Sequence, residues 1–551
     1  MKRNNSHPKT RKTARLTGVL LLIMTFLMVI FMGVFFVQKL FYREEIAKLL
    51  PADQTLAFIE INLDQKSPEL QQLFKLTSGN PYLTQDSFQK LLDNIPPQSE
   101  DFQKWFGGRL GVALIAEPHQ NPVPVLLLKF SDYQKMLNWE MSNFQAGESN
   151  HLMISQNYLI ISESQNALEF ITQASQNQNL SLKNHPYYNQ IYSALPQQNI
   201  AFIYFDTGKI LASLAENPDF LDGHLVKFQQ FLPFLKIFSR DAIAIYTDKD
   251  SSGKISLNAQ QLSLFNQSVL PTPDFFNIKY FYSGVLEQLL PANTIASFGG
   301  SNLADQKSKI EALFANQSTV QSLLFSGSLE KFKQEIFAPS SADQTNITNK
   351  IDLNQDFFSI LQGNYLLSVQ AGTPGHFDFS LVIEDKNAIN DLLKIQKLLL
   401  ALAKNTAAKT QTKITDVTLP DGTKGQNIIG TSIEPQVIIE NLDGYPVQTI
   451  SISESLKIYY VAVSTNIYVS TNPNSLLDMI AKAKQLNASN QTISLLPKLD
   501  HPTEYYSFDL NALTKAINMP QLQPFLIPLH QLKIGRKFTQ IGVLSMYSFE
   551  Q

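Results

Sequence analysis

The string Asp248-Lys249-Asp250-Ser251-Ser252-Gly253 has the residue types of the opening of a calcium loop. Such a loop sets oxygen ligands at positions 1, 3 and 5 and Gly at 6, and closes with a bidentate Glu at 12. Position 12 here is Ala259, and the string lies between AIAIYT and KISLNAQQL, two strand-like runs, so it reads as a hairpin tip. The eight histidines, His7, His119, His151, His185, His224, His376, His501 and His530, are far apart in sequence, with no H-E-x-x-H and no metal-ligand spacing. His119 and His376 fall in equivalent hairpin turns and read as solvated. Neither G-x-x-x-x-G-K-[ST] nor G-x-G-x-x-G occurs, and Gly107-Gly108 and Gly299-Gly300 are pairs beside strands, the mark of turns or bulges. Ser326-Gly327-Ser328 is not the G-x-S-x-G elbow of a serine hydrolase, although a triad can assemble from scattered residues.

Glu60 and Glu140 lie among apolar residues. They are read either as buried carboxylates with raised pKa or, by default, as edge-strand and helix-surface groups; spacing alone does not pick out a glycosidase acid pair. Trp105 and Trp139 either line a groove or, by default, pack under a sheet. The absence of cysteine excludes thiol catalysis, disulfides, iron–sulfur clusters and Cys-based zinc sites. No catalytic, cofactor-binding or metal-ligating residue is assigned from the sequence, and no cofactor is expected.

The elements that would carry any site repeat along the chain. LLPADQTLAFIEINL (Leu49 to Leu63) matches LLPANTIASFGGSNL (Leu289 to Leu303) at a constant offset of 240 residues. Weaker forms recur as LPQQNIAFIYFD (Leu195 to Asp206) and LPKLDHPTEYYSFDL (Leu496 to Leu510). In each, Pro ends the preceding element, a polar turn follows, and an alternating apolar strand leads into a helix, such as Lys209 to Leu214 or Leu510 to Ile517. A second unit joins a strand to an amphipathic helix. YLIIS leads into Ala167, Phe170, Ile171 and Ala174, and IYVS into Leu476, Met479, Ile480 and Ala483, both spaced i, i+3, i+4, i+7. RLGVALI with VPVLLLKF, and NYLLSVQ with FDFSLVI, read as hairpins, with helices following near Asp132 to Met141 and Asn387 to Ala403. Pro420-Asp421-Gly422 is a further hairpin turn signal.

Leu16 to Val37 (LTGVLLLIMTFLMVIFMGVFFV) is 22 residues without a charge, and as a helix spans roughly 33 Å. That is enough for a hydrocarbon core of about 30 Å. Lys2, Arg3, Lys9, Arg11, Lys12 and Arg15 precede it with no acid, which places the N-terminus in the cytoplasm by the positive-inside rule. A cleaved signal peptide has a shorter apolar core and ends in small residues, whereas this run continues into FFVQKLFYREE. Composition is globular, 44% hydrophobic and 17% charged in 551 residues. Outside the tail, 38 basic residues face 47 acidic ones, a net charge of −9 that does not suit a nucleic-acid binder.

The expected fold class is therefore α+β: an N-terminal transmembrane helix, then two tandem copies of a unit of antiparallel sheet with helices on one face. The boundaries read as a cytoplasmic basic tail (1–15), the transmembrane helix (16–37), exported copy one (38–266), a linker (267–283) around Leu270-Pro271-Thr272-Pro273, and exported copy two (284–551). The segments LPADQTLAFIEINLD, WFGGRLGVALI and NYLIISESQNALEFI, behind such an anchor, resemble a bacterial family of envelope proteins, domain of unknown function thirty-three fifty-two. The resemblance implies a bacterial, membrane-anchored protein and carries no activity. The second copy departs from it with Gly299-Gly300 where the first has Ile59-Glu60. The expected function is a non-catalytic binding or scaffold protein of the envelope, attached to the bilayer through Leu16 to Val37, with an envelope protein or cell-wall partner and no nucleic acid. The alternatives are a carrier or chaperone for lipid or another apolar ligand, and an envelope hydrolase with dispersed acidic residues.

Overall fold

The computed structural model describes residues 46–78, 80, 100–118, 120–143, 151–216, 235–270, 280–313, 351–372, 376–410, 412–418, 422–430, 435–453, 456–486, 496, 499–516 and 529–550. Two compact units are distinguished: residues 1–270 with 519–531 and 541–551, and residues 271–518 with 532–540.

In the first unit, β1 (Thr55–Asn62), β2 (Phe106–Ile115), β3 (Val123–Phe130), β4 (His151–Ser155), β5 (Tyr158–Ser162), β6 (Ala201–Phe205), β7 (Phe238–Lys249) and β8 (Ile255–Phe265) pair antiparallel in the order β4-β5-β3-β2-β1-β6-β7-β8. Phe58 stands opposite Ala113 on one side and Tyr204 on the other. Its helices include α1 (Tyr133–Asn143), α2 (Gln165–Gln176), α3 (Pro186–Ala194) and α4 (Thr207–Glu216). Ser164 caps α2 by accepting from the Ala167 N–H, and the helix buries Ala167, Leu168, Ile171 and Ala174. These join Phe58, Ile115, Leu127, Ile160, Tyr188 and Ile191 in one apolar core. Each fully enclosed side chain of this size contributes roughly 1.5–3 kcal/mol of transfer free energy.

In the second unit, β9 (Thr294–Ser301), β10 (Asn364–Ala371), β11 (Phe377–Glu384), β14 (Val437–Leu442), β15 (Tyr445–Ser451), β16 (Lys457–Val463), β17 (Asn466–Ser470) and β18 (Glu504–Asp509) run β14-β15-β16-β17-β11-β10-β9-β18. The hairpin expected around Pro420 to Gly422 is β12 (Thr412–Thr418) with β13 (Lys424–Gly430), a separate two-stranded sheet. β19 (Gln531–Phe538) lies beside β18, where Thr503 N–H donates to the Arg536 carbonyl at 2.6 Å. The helices α5 (Ala388–Thr410), α6 (Pro473–Leu486) and α7 (Leu510–Ala516) follow β11, β17 and β18. Leu476, Met479 and Ile480 of α6 are buried and Ala483 is half-buried, which is the face read from the sequence.

The expected architecture, a transmembrane helix followed by tandem copies, needs correction. Among the described residues no helix is long and apolar enough to cross a membrane. The tail 1–15 and Leu16 to Val37 lie outside the described residues. The copies are also not tandem bodies. β20 (Gly542–Glu550), the last strand of the chain, pairs with β8 of the first unit in unbroken register from Gly542↔Leu264 to Glu550↔Ser256. The physical reason is strand-edge satisfaction. On the side away from β7, alternate residues of β8 present N–H and C=O groups, and β20 pairs with Ser256 to Leu264 to supply their partners.

Gly299 and Gly300 are places where the second sheet requires missing side chains. A Cβ on Gly299 would sit 2.4 Å from the Tyr282 ring, and one on Gly300 2.4 Å from Tyr365 Oη. Both rings lie against the bare backbone of β9, so the pair is a packing feature rather than a turn. Gly299→Ala is expected to lower unfolding free energy by about 1–3 kcal/mol through overpacking, read by denaturant titration. Gly208→Ala, whose Cβ meets nothing closer than 3.5 Å, is the control and is expected to be neutral or stabilising.

Candidate functional site

Polar groups converge in the first unit where β6 ends. Asp206 follows β6 and opens α4, its Oδ1 accepting from the Lys209 N–H at 3.1 Å and its carbonyl from the Ile210 N–H at 3.0 Å. An aspartate is favoured there because it satisfies an N–H that the helix leaves open. The β6–β7 register pairs Phe205 with Asp241, so Arg240 is the next residue of β7 along the edge. Arg240 Nε lies 3.1 Å from Asp206 Oδ2, and Lys209 Nζ lies 3.4 Å from the same oxygen. Lys209 Nζ also donates to the carbonyl of Ala52, in the repeated Leu-Leu-Pro-Ala turn.

The N-terminus of α3 supplies the outer wall. Arg240 lies over the Tyr187 ring at 4.3 Å, and the His185 ring is 5.6 Å from that of Tyr187. Tyr204 is fully enclosed beneath, close to Arg240 and Asp206. The carboxylate side chain is 3% exposed, the Arg240 and Lys209 side chains 14% and 25%, and Tyr187 50%. The negative group is thus closed off, the two cations are mostly shielded, and the Tyr187 ring faces outward.

Burial pushes the His185 pKa down, and the Arg240 and Lys209 charges add to this against the smaller opposing effects of Asp206 and Asp53. Burial also lowers Lys209, opposed by Asp206. Burial raises the Tyr204 hydroxyl, and Asp206 raises it further. His185 is therefore neutral and Tyr204 protonated at pH 7. Asp206 Oδ2 and Arg240 Nε face each other as an ion pair without a well-aligned hydrogen bond, and the buried His185 Nδ1 has no hydrogen-bond partner. This assembly can hold a ligand's negative charge. Arginine keeps its proton at any accessible pH, and Asp206 is engaged as cap and counter-ion.

A second cluster lies in the second unit. Glu287 accepts from Tyr282 Oη at 3.0 Å and from Ser297 Oγ at 3.1 Å. Burial raises its pKa to about 7, against the opposing effects of those two hydrogen bonds and of Lys533. The residue 240 positions earlier is Ala47, buried in the first core, so this carboxylate is particular to the second repeat.

A family profile described as protein of unknown function (DUF3352) matches residues 37–543. The chain belongs to this family. No curated protein and no solved structure matches it.

In this DUF3352 chain the motif-level candidates resolve into structural roles. The Asp248–Gly253 string is the β7–β8 hairpin tip. Asp250 Oδ1 accepts from Ser252 N–H at 2.9 Å, Ser252 Oγ at 2.6 Å and Lys254 N–H at 2.9 Å, and Gly253 takes φ +89°. That aspartate closes its own turn, and among the described residues no group of three or more acidic or histidine side chains is placed to hold a metal. Glu60 is bound by Arg109 across β1 and β2 at 2.5 Å. Trp105 and Trp139 pack tilted at 4.9 Å with Phe102 in a buried aromatic cluster, not along a groove. His119 and Ser326 to Ser328 lie outside the described residues. Sequence reasoning missed Asp206, Lys209 and Arg240 as a group. The available signal was Phe-Asp at the end of a strand, recurring at 205–206 and 508–509.

Glu287 gives a pH dependence with a defined sign. Its folded pKa lies above the ordinary 4.5, so the fold favours the neutral carboxyl. Its contribution is complete below pH 4.5 and is lost as pH rises through about 7, on the order of 3 kcal/mol in all. Glu287→Gln is expected to flatten the wild-type fall in unfolding free energy between pH 5 and 8, measured by denaturant titration at each pH.

Proposed function

We propose that this DUF3352 protein is a non-catalytic binding or scaffold protein of the bacterial envelope, acting on an envelope protein or on cell-wall material. The observation that supports it is the cluster around Asp206. Two mostly shielded cations and the exposed Tyr187 face can bind by charge and contact, and the carboxylate they pair with is nearly enclosed. The localisation part of the proposal rests on sequence: the uncharged run Leu16 to Val37, as the point of attachment to the bilayer, and the six basic residues before it.

A second reading, a carrier for an apolar ligand, is favoured by one feature of the second unit. A shallow cleft of about 380 Å³ runs along α5, lined by Ile351, Leu393, Leu400 and Ala401 with Lys397 and Lys404 at its edge. Leu393 is largely exposed there, one turn from the equally exposed Ile389.

A photocrosslinking side chain at Tyr187 in the full chain, in cells, is expected to capture a discrete envelope component. The same group at Tyr133, equally exposed, is expected to capture none. Cell fractionation should place the full chain in the membrane pellet. Turnover of any envelope substrate by the purified protein would remove the non-catalytic reading. Lipid carried through purification and seen by native mass spectrometry would favour the carrier.

A further inference from the structure

The two repeats use the same aspartate differently. Asp509 ends β18 and opens α7 as Asp206 ends β6 and opens α4, and its Oδ1 accepts from the Ala512 N–H at 2.8 Å. Ala512 occupies the place of Lys209 three residues after the cap, and among the described residues Asp509 makes no ion pair and is exposed. Capping the helix therefore needs only the aspartate. In the first unit the same cap is nearly enclosed and carries two cations beside it, Lys209 and Arg240, where one counter-charge would suffice.

Their arrangement is directional. Arg240 places Nε 3.1 Å from Asp206 Oδ2, lays its guanidinium over the exposed Tyr187, and lies close to the Tyr204 hydroxyl. Tyr204 is fully enclosed, and His185 Nδ1 has no hydrogen-bond partner. A guanidinium fork donates to two oxygens of one anion in a single plane, and a hydroxyl donor beside it supplies a further bond. Asp53, exposed, is the other acid near enough to influence the cluster, and its effect on His185 is smaller than that of either cation.

We infer that Arg240, Lys209, Tyr204 and His185 form an oxyanion site in the first unit that takes a phosphate or carboxylate group, with Tyr187 as its wall. This rests on the binding-protein reading and names the chemistry the site would select. A bound anion would offset the positive field of Arg240 and Lys209 on His185.

The test uses the full chain in detergent with histidine-selective isotope labelling, titrated separately with inorganic phosphate and with acetate. The expected result is saturable binding of at least one anion, with a rise in the pH at which the His185 ring titrates. Saturation by phosphate alone assigns a phosphate site and by acetate alone a carboxylate site. Arg240→Lys, which keeps a charge beside Asp206 but loses the planar fork, is expected to weaken binding about 10-fold or more. Tyr204→Phe is expected to weaken it less and to leave the fold intact, which guards against a misfolded Arg240 variant. Absence of saturable binding of either anion, or binding unchanged in both variants, overturns the inference. The Tyr187 crosslink separates the two proposals: an unchanged capture in Arg240→Lys together with no anion binding sinks the oxyanion site alone, and no capture in the unsubstituted chain sinks the binding-protein reading.

Discussion

Everything else in each unit depends on one strand being paired on both sides. In the first, β1 is held between β2 and β6; in the second, β9 is held between β10 and β18. A strand with both neighbours has its backbone groups met and its register fixed from two directions, and a slip of one residue would invert every side chain. That register sets Phe58 against Ala113 and Tyr204, carries the core outward to Ile115 and Leu127, and sends β6 out of the sheet at Asp206. Without β1 fixed in that register, β6 would not end beside Arg240, and the cation cluster would have no frame.

The central strand is also where the repeats diverge most. Ile59-Glu60 in β1 becomes Gly299-Gly300 in β9. The first version keeps a cross-strand ion pair, Glu60 with Arg109, largely shielded from solvent. The second deletes both side chains, and two tyrosine rings occupy the space. Tyr282 then brings its hydroxyl to Glu287, which stands where the first repeat has Ala47. The exchange moves the shielded polar chemistry from the strand pair to the turn before the strand. A buried ion pair and a buried neutral carboxyl are different solutions to the desolvation of a carboxylate: one supplies a counter-charge, the other leaves the proton on.

Local periodicity made most of the elements legible. The alternating runs are strands, the i, i+3, i+4, i+7 faces of α2 and α6 turn inward with Phe170 and Ala483 half-buried, and the Leu-Leu-Pro-Ala offset marks corresponding turns before β1 and β9. What was not legible was partnership at long range. Nothing in GVLSMYSFE says that it pairs with residues 256–264, since an alternating strand fits any open edge of compatible register. Gly299-Gly300 looked like a turn because a glycine pair signals backbone freedom, while its role is room for rings brought from residues 282 and 365. Asp206 was hidden by its ordinary local role as a strand-end cap. Only the register of β6 against β7 brings Arg240, 34 residues later, beside it.

The cluster's meaning turns on what each charge costs. A carboxylate at an exposed helix start, as at Asp509, stabilises the helix and loses little hydration. Asp206 is nearly enclosed, so it needs a counter-charge, and one cation would supply it. Two are present, each partly withdrawn from water, in a region whose net charge is −9 outside the basic tail. Stability alone does not account for the second: a partly desolvated cation sharing an already paired oxygen gains less attraction than the first and still loses hydration. Its Nζ bond to Ala52 recovers part of that loss and ties the Leu-Leu-Pro-Ala turn to α4. The positive charge left over is answered inside the fold only in part, by the exposed Asp53, whose field on His185 is smaller than that of either cation.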